Sequence, residues 1–558
     1  MKGFRSGLVM MTSMALTLAA THPAHAGAPD PERQIVVYKD AAKAKKAVTA
    51  LGGKVIRELD KLHALAVKMP AGALAKLRGD ASVSLVELDA PRYPLSINAP
   101  SPTGPQVTPW GIDAVNADPQ AYAGGIKICI IDSGYARGHE DLEKQPVTAS
   151  ADPGTGDPFF DGSHHGTHVA GTISALDNAI GVVGVNGNGK LPIHIVKVFG
   201  NDGEYAYSSD LAAAVGKCID EGKARIISMS LGGGTPSQTE KAAMDGALAN
   251  NVLPIAAAGN DGNSRKSYPA AYDSVMSVAA VDSVLAHAEF SQFNDDVEIA
   301  GPGVAVRSTV PNGQGTEVQL ALTGCLGGRC LKGSPSGFEA AAFLGSAEGN
   351  VTGSLYRCNA VDGLGSPGDC NGASGQVCLI QRGSISFAEK VQECQRRGGL
   401  AAVIFNSSDA LFTGTVEGST IKVPAVAVSG IDGATLEGET GSEFNVVVTR
   451  GNYDFFDGTS MATPHVSGVA AAVWSQNPKC KARDIRVLLD YTAQDVDAVG
   501  RDVNTGYGVV DYGAALANLD CDGKQENCTL KKSGAACSSM SECCSGTCQT
   551  VAGKKTCK

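Results

Sequence analysis

Aromatic side chains are scarce in this sequence, only 5% of its 558 residues, and two other features are missing altogether. There is no long run of Lys and Arg, and the net charge is -11. The electrostatic attraction that carries nucleic-acid affinity is therefore absent, which excludes nucleic acid as a partner. No segment reaches the roughly 20 consecutive apolar residues that cross a bilayer, so no membrane span is expected in the mature form. The 43% hydrophobic content fits an ordinary folded protein, and the length calls for several folded units.

Cysteine, by contrast, is plentiful. Sixteen are present, an even number crowded toward the C-terminus, which points to an oxidising compartment. The N-terminus agrees: Lys2 and Arg5 precede an apolar run from Gly7 to Ala20, and Ala24-His25-Ala26 offers small residues at a cleavage site. A signal peptide over 1–26, cut after Ala26, and a secreted, extracellular product are expected.

Residues 34–90 alternate strand-like and helix-like patterns in the order β-α-β-β-α-β, which is the split βαβ arrangement of a ferredoxin-like α+β unit. The six prolines of 91–109 read as an extended linker holding a processing site. From Trp110 to about Pro311, short apolar strands alternate with helical stretches, the pattern of a three-layer α/β domain with a central parallel sheet. Such sheets carry their chemistry at the carboxyl ends of the strands. The same style resumes at Ser460, so a β-rich segment of about 316–449 is inserted, and its two ends must lie close together.

Three motifs fall within the α/β region: Ile130-Ile131-Asp132-Ser133-Gly134, His165-Gly166-Thr167-His168-Val169-Ala170-Gly171 and Gly458-Thr459-Ser460-Met461-Ala462-Thr463-Pro464. Asp132 ends an apolar strand, where a carboxylate can hold a histidine ring; alone it also suits a turn. Gly166 and Gly171 are read as leaving space beside the His165 imidazole. His165 and His168 have the spacing of a zinc pair, but no Glu lies between them and a further ligand set is missing. Ser460 opens a helix with Pro464 in its first turn, a place for an N-cap and equally for stabilising negative charge. Ala256-Ala257-Ala258-Gly259-Asn260 ends another apolar strand in an amide.

Together these motifs resemble the signatures of the subtilisin-like serine proteases (subtilases). The resemblance implies a catalytic triad of Asp132, His165 and Ser460, with Asn260 and the Ser460 backbone N–H as oxyanion donors and no cofactor for catalysis. It implies substrate contacts at Ser230, Leu231, Gly232, Gly259 and Ser267, with a roomy primary pocket for large apolar side chains. It also implies a structural Ca2+ held by Gln106, Asp141 and Asn178 side chains and by the carbonyls of Leu176, Ile180 and Val182, an oxygen set that suits a hard cation.

Residues 27–95 resemble an inhibitor-type propeptide, which would leave the catalytic domain as 96–315 and 450–520. The insertion resembles a protease-associated (PA) domain through Val377 to Gly383 and Gly399 to Asn406. Residues 521–558, with Cys528, Cys537, Cys543, Cys544, Cys548 and Cys557, resemble a cystine-knot module; the knot would join Cys528 with Cys544, Cys537 with Cys548 and Cys543 with Cys557. The expected protein is a secreted serine endopeptidase, a monomer, with protein or peptide substrates and its own propeptide as intramolecular inhibitor. The competing reading is a catalytically silent binding protein built on the two accessory modules. A serine esterase would show a Gly-x-Ser-x-Gly elbow and the order Ser, Asp, His, and neither is present.

Overall fold

The computed structural model describes residues 30–521 except 31, 95–96, 101–105, 202–204, 323–324, 327–328, 331–337, 359–369, 384 and 418–419, and beyond them 535–536, 548–551 and 554–557. The expected signal peptide, and Cys528, Cys537, Cys543 and Cys544 of the expected knot, lie outside the described residues.

Strands β1 (Arg33–Tyr38), β2 (Lys54–Leu59), β3 (Ala64–Lys68) and β4 (Val83–Leu88), with helices α1 (Ala41–Ala50) and α2 (Leu74–Arg78), form the N-terminal unit. Its antiparallel sheet is ordered β2-β3-β1-β4. Asp40 caps α1 by accepting from Lys43 N, and Ala44 and Val48, one turn apart, pack onto Val36, Leu65 and Leu77.

The proline-rich stretch that follows is not a free linker. It forms β5 (Pro91–Pro94) and β6 (Ile97–Pro100), both hydrogen-bonded to the larger α/β body that follows. The prolines hide this from the sequence because each removes a ladder donor, leaving Arg92 and Tyr93 to supply the N–H groups of β5.

Helix α3 (Trp110–Ala114) leads into seven parallel strands: β7 (Ile128–Asp132), β8 (Val147–Ala151), β9 (Ile193–Lys197), β11 (Ile226–Met229), β13 (Leu253–Ala257), β14 (Met276–Val281) and β15 (Ile299–Pro302). Their order is β15-β14-β13-β11-β7-β9-β8, so the winding reverses at β7 and opens a crevice at its carboxyl end. Every residue of β7, β9, β11 and β13 is buried, as strands covered on both faces must be. Along β7, Ile128 and Ile130 join a core that includes α4 (His165–Ser174) and α9 (Thr459–Gln476), whereas Cys129 and Ile131 join α5 (Ser208–Asp220) and α6 (Gln238–Ala249). That alternation makes the three layers. Short strands β10 (Ala206–Tyr207) and β12 (Leu231–Gly232) flank the crevice. The Cys129–Cys218 disulfide ties β7 to α5, and Cys480–Cys521 closes the body beside α10 (Ala482–Thr492) and α11 (Tyr512–Ala517).

After β16 (Val306–Thr309) the chain leaves the body along β17 (Gly315–Leu322). It passes β18 (Cys325–Leu326), β19 (Arg329–Cys330), β20 (Ala340–Ala342), β21 (Gly349–Arg357), β22 (Val377–Gln381), α7 (Phe387–Arg396), β23 (Ala401–Phe405), β24 (Ala425–Val428) and α8 (Gly430–Gly438), and returns on β25 (Glu443–Gly451). The mixed sheet is ordered β17-β25-β21-β22-β23-β24-β20, and Gly315 faces Gly451 where the module joins the body. Cys358–Cys370 and Cys378–Cys394 are disulfides within it, so the clustered sulfurs of Cys358, Cys370 and Cys378 are not metal ligands. Strand β26 (Tyr453–Asp457) pairs with β16 and β6 and runs straight into α9. A hairpin of β27 (Cys548–Val551) and β28 (Lys554–Cys557) ends the chain. Among the described residues no helix is long and apolar enough to cross a membrane.

Candidate active site

Asp132 is the last residue of β7 and wholly buried. Its Oδ1 accepts from His165 Nδ1 and from Ser133 N, both at 2.7 Å. His165 opens α4, and that helix start is held by a carboxylate the sequence reading missed: Asp161 accepts from Thr167 N at 2.8 Å and from Ser133 Oγ at 2.8 Å. An acidic residue just before a helix start was the signal available. Burial pulls the His165 pKa down, but the charge and hydrogen bond of Asp132 outweigh it and leave the imidazole above its ordinary value. Its Nε2 is buried and has no hydrogen-bond partner among the described residues.

Only one of the two glycines serves this corner. A Cβ on Gly166 would lie 2.3 Å from Gly134 O and 3.2 Å from Asp132 Oδ1, so its absence admits the loop after Asp132. Gly171 instead makes room for Thr309 and Ser308 on β16, not for the imidazole. His168 is not a metal partner either. It stacks on Phe456 at 4.2 Å, its Nε2 donates to Val306 O at 2.9 Å, and burial pushes its pKa down to about 3.

Ser460 is the second residue of α9, so its N–H is one of the first-turn donors without an intrahelical acceptor. Pro464 lies a turn deeper than its motif suggested, inside the helix. Lacking an N–H, it cannot bond to Ser460 O, which accepts from Ser230 Oγ at 2.7 Å instead. Ser460 Oγ donates to Ser230 O at 2.8 Å, so the two serines brace each other. Asn260 sits across the same gap: its Oδ1 accepts from Thr459 N at 2.9 Å and from Thr459 Oγ1 at 2.8 Å, fixing the plane of the amide. Gly259 before it has φ +114°, and a Cβ there would come within 1.5 Å of Gln292 Oε1.

β12 carries Leu231 and Gly232 immediately after Ser230, and it pairs antiparallel with β5: Pro94 faces Leu231 and Tyr93 faces Gly232. On its other edge β5 pairs with β10. Ser267 is buried behind this edge, its carbonyl accepting from Ala271 N at 2.8 Å, while the next residue, Tyr268, bridges to Gly233.

The six residues read as calcium ligands gather around the loop 176–182. Asp141 is fully buried, and its Oδ2 accepts from Val182 N at 2.9 Å while Oδ1 accepts from Asn178 Nδ2 at 2.8 Å. Gln106 Oε1 accepts from Asn178 N at 2.6 Å, Leu176 N donates to Asp141 O at 2.9 Å, and Ile180 N donates to Asn178 Oδ1 at 3.0 Å. Burial pushes the Asp141 carboxyl up. The sequence reading missed Tyr453, whose ring fills the space a side chain on Gly181 would need.

A three-layer α/β body with acid, imidazole and hydroxyl gathered at the carboxyl edge of its parallel sheet, and an extended strand laid across that edge, defines the class as a subtilisin-like hydrolase. The chain belongs to the Subtilase family, whose model matches residues 123–509. A second family model, the Fervidolysin N-terminal prodomain, matches residues 31–89. Subtilisin E of Bacillus subtilis (strain 168) is 36% identical over 294 residues, covering 50% of this chain and 72% of that protein. The thermostable alkaline protease of Halalkalibacterium halodurans is 34% identical over 307 residues, 54% of this chain and 80% of that one. Among solved structures, the psychrophilic subtilisin-like protease Apa1 of Pseudoalteromonas sp. AS-11 superposes with a TM-score of 0.65 at 39% identity, covering 76% of this chain and 99% of Apa1. The protein is a subtilisin-like serine endopeptidase whose prodomain is its intramolecular inhibitor and whose substrates are proteins.

Proposed function

We propose that Asp132, His165 and Ser460 form the catalytic triad of this endopeptidase. The observation that carries the reading is the state of His165: one ring nitrogen is held by Asp132 at 2.7 Å, and the other is buried with no partner among the described residues, on a helix packed against the helix of Ser460. Asp132 keeps the proton on Nδ1, leaving Nε2 as the base. Rotation about the Ser460 side chain turns its hydroxyl from Ser230 O toward that nitrogen. Proton transfer then frees the oxygen to attack the substrate carbonyl, and the oxyanion is met by Ser460 N–H and the Asn260 amide. His165 returns the proton to the leaving amine, and water releases the acyl group by the same route. Side chains and backbone supply every group the steps need.

Substrate is read as an extended strand added between β10 and β12, where β5 now lies, with Ser230, Leu231 and Gly232 as its edge and Gly259 and Ser267 toward a broad primary pocket. Maturation is read as cleavage after Leu95, giving a propeptide of 27–95. What supports this is that β5 pairs beside Ser230 and β6 pairs along the strand leading into Ser460. The module at 316–449 is read as a PA-like domain, 521–558 as a knottin-like tail, and the mature enzyme as an extracellular monomer.

Gln106, Asp141 and Asn178, with the carbonyls of Leu176, Ile180 and Val182, are read as holding a structural Ca2+. The fit rests on a buried carboxylate and a donor set made only of oxygens. Chelation should lower the unfolding temperature of the Ser460→Ala protein, and Asp141→Asn should remove that response. For the catalytic reading the test is hydrolysis of casein by wild type and Ser460→Ala, with and without a serine-directed inhibitor; equal rates would overturn it.

A further inference from the structure

Strand β5 puts a fully buried cation into the wall of the cleft. Arg92 and Glu240 are each 0% exposed. Arg92 Nε donates to Glu240 Oε2 at 2.9 Å and Nη2 donates to Oε1 at 2.8 Å, two parallel bonds between a planar fork and a carboxylate. The guanidinium is completed by Thr235 O at 3.0 Å from Nη2 and by its own chain's Pro91 O at 2.8 Å from Nη1. Gly233 leaves the space: a Cβ there would lie 2.5 Å from Pro91 O and 3.2 Å from Arg92 Nη1.

The two partners have different fates. Arg92 belongs to the segment that maturation removes, whereas Glu240 sits in the first turn of α6 and stays with the catalytic body. Once β5 departs, the body keeps a recessed carboxylate whose counter-charge has gone. An apolar side chain entering that recess would desolvate the carboxylate without pairing it, and an acidic one would be repelled. A lysine offers one point charge where the recess presents two oxygens to a fork. The register fixes the position. Tyr93 faces Gly232 and Pro94 faces Leu231, so for a bond cut after residue 95 Arg92 is the fourth residue on the acyl side.

We propose that Glu240 is the specificity-determining residue of a guanidinium-binding side pocket, so that this endopeptidase prefers protein segments with arginine four residues before the cut bond. The proposal rests on the reading of Ser460 and the cleft given above.

Its test is a set of acetyl-Xaa-Tyr-Pro-Leu anilides, with Xaa as Arg, Lys, Leu or Glu, given to the matured enzyme. The expected order of kcat/KM is Arg, Lys, Leu, Glu, with Arg above Leu by about tenfold or more. Glu240→Gln should bring the Arg-to-Leu ratio close to one, and Glu240→Leu should invert it. A wild-type ratio within twofold, or a ratio that survives in Glu240→Gln, overturns the proposal. If neither variant matures, the wild-type profile decides alone. The two layers separate cleanly: hydrolysis of the Arg peptide by Ser460→Ala would sink the reading of the site, whereas a flat profile with Ser460→Ala inactive sinks only the pocket.

Discussion

The prodomain and the inserted module both reach the segments around Ser460, yet they hold on by opposite means. Beyond the ladder that β5 makes with β10 and β12, the prodomain grips with charge. Glu87 accepts from Gln238 N at 2.7 Å and Thr239 N at 2.9 Å at the start of α6, and Asp89 accepts from Ser209 N at 2.9 Å at the start of α5. Arg33 and Arg57 add ion pairs to Asp210 of α5, and Arg57 a further one to Asp152. Each helix thus has first-turn N–H groups met by a carboxylate from another domain. The inserted module grips with backbone and apolar surface: β17 and β25 run into the body at both ends, and Ala341 and Leu411 pack on Ala305 and Phe455. Water can replace every contact of the first kind, so that hold ends when the chain is cut. The second hold has no such exit.

Removing the proposed nucleophile should erase the contrast. Ser460→Ala should lose activity on the order of a million-fold, the size of loss that removing the nucleophile gives in subtilisin itself, and should keep its prodomain on a denaturing gel. Maturation, which ends one hold and spares the other, should follow His165. The proposed base must be neutral and its pKa is raised above the ordinary histidine value, so cleavage of the precursor should fall about tenfold per pH unit below that raised pKa, measured by timed gels. Weakening the charged grip directly has a smaller effect. Glu87→Ala with Asp89→Ala should weaken inhibition in trans by the separate prodomain roughly 10- to 100-fold, since the carboxylates meeting the first N–H groups of two helices are lost.

The last test probes the apolar grip through an acidic contact. Asp457, three residues before Ser460, accepts from Thr413 of the module and from Ala305 N at 2.6 Å. Burial, against those two hydrogen bonds, pushes its pKa up to about 6. For an acid raised in the folded state the protonated form is favoured there. Its contribution to stability is therefore full below about pH 4 and is lost as the pH rises toward 6. In a Ser460→Ala background, wild-type Asp457 should lose about 2–3 kcal/mol across that window relative to Asp457→Asn, read from denaturant melts.

Much of the body was legible because its signals are local. Apolar runs such as Ile128 to Ile131 can only be strands buried on both faces, and the periodicity of 34–90 leaves little choice of order. The acid, imidazole and hydroxyl motifs were legible for the same reason, each being contiguous. What stayed hidden depends on partners far along the chain. The pairing of β5 with Leu231 and Gly232 spans more than a hundred residues and is masked by proline. Glu240 sits three residues after Ser237, a spacing that reads as a capping box. Its side chain turns instead to Arg92, and Glu87 takes part of the capping role. Asp161 and the buried place of Pro464 are likewise set by tertiary neighbours.

The pairing of Gly315 with Gly451 has an entropic consequence. An unstructured excursion of about 130 residues would cost roughly 3 kcal/mol more loop-closure entropy than a tight turn of about four. Because the module folds on its own sheet and brings its two ends together, the catalytic body meets it as a short hairpin. Ser460 can then find Asn260 almost as readily as if the intervening chain were a turn.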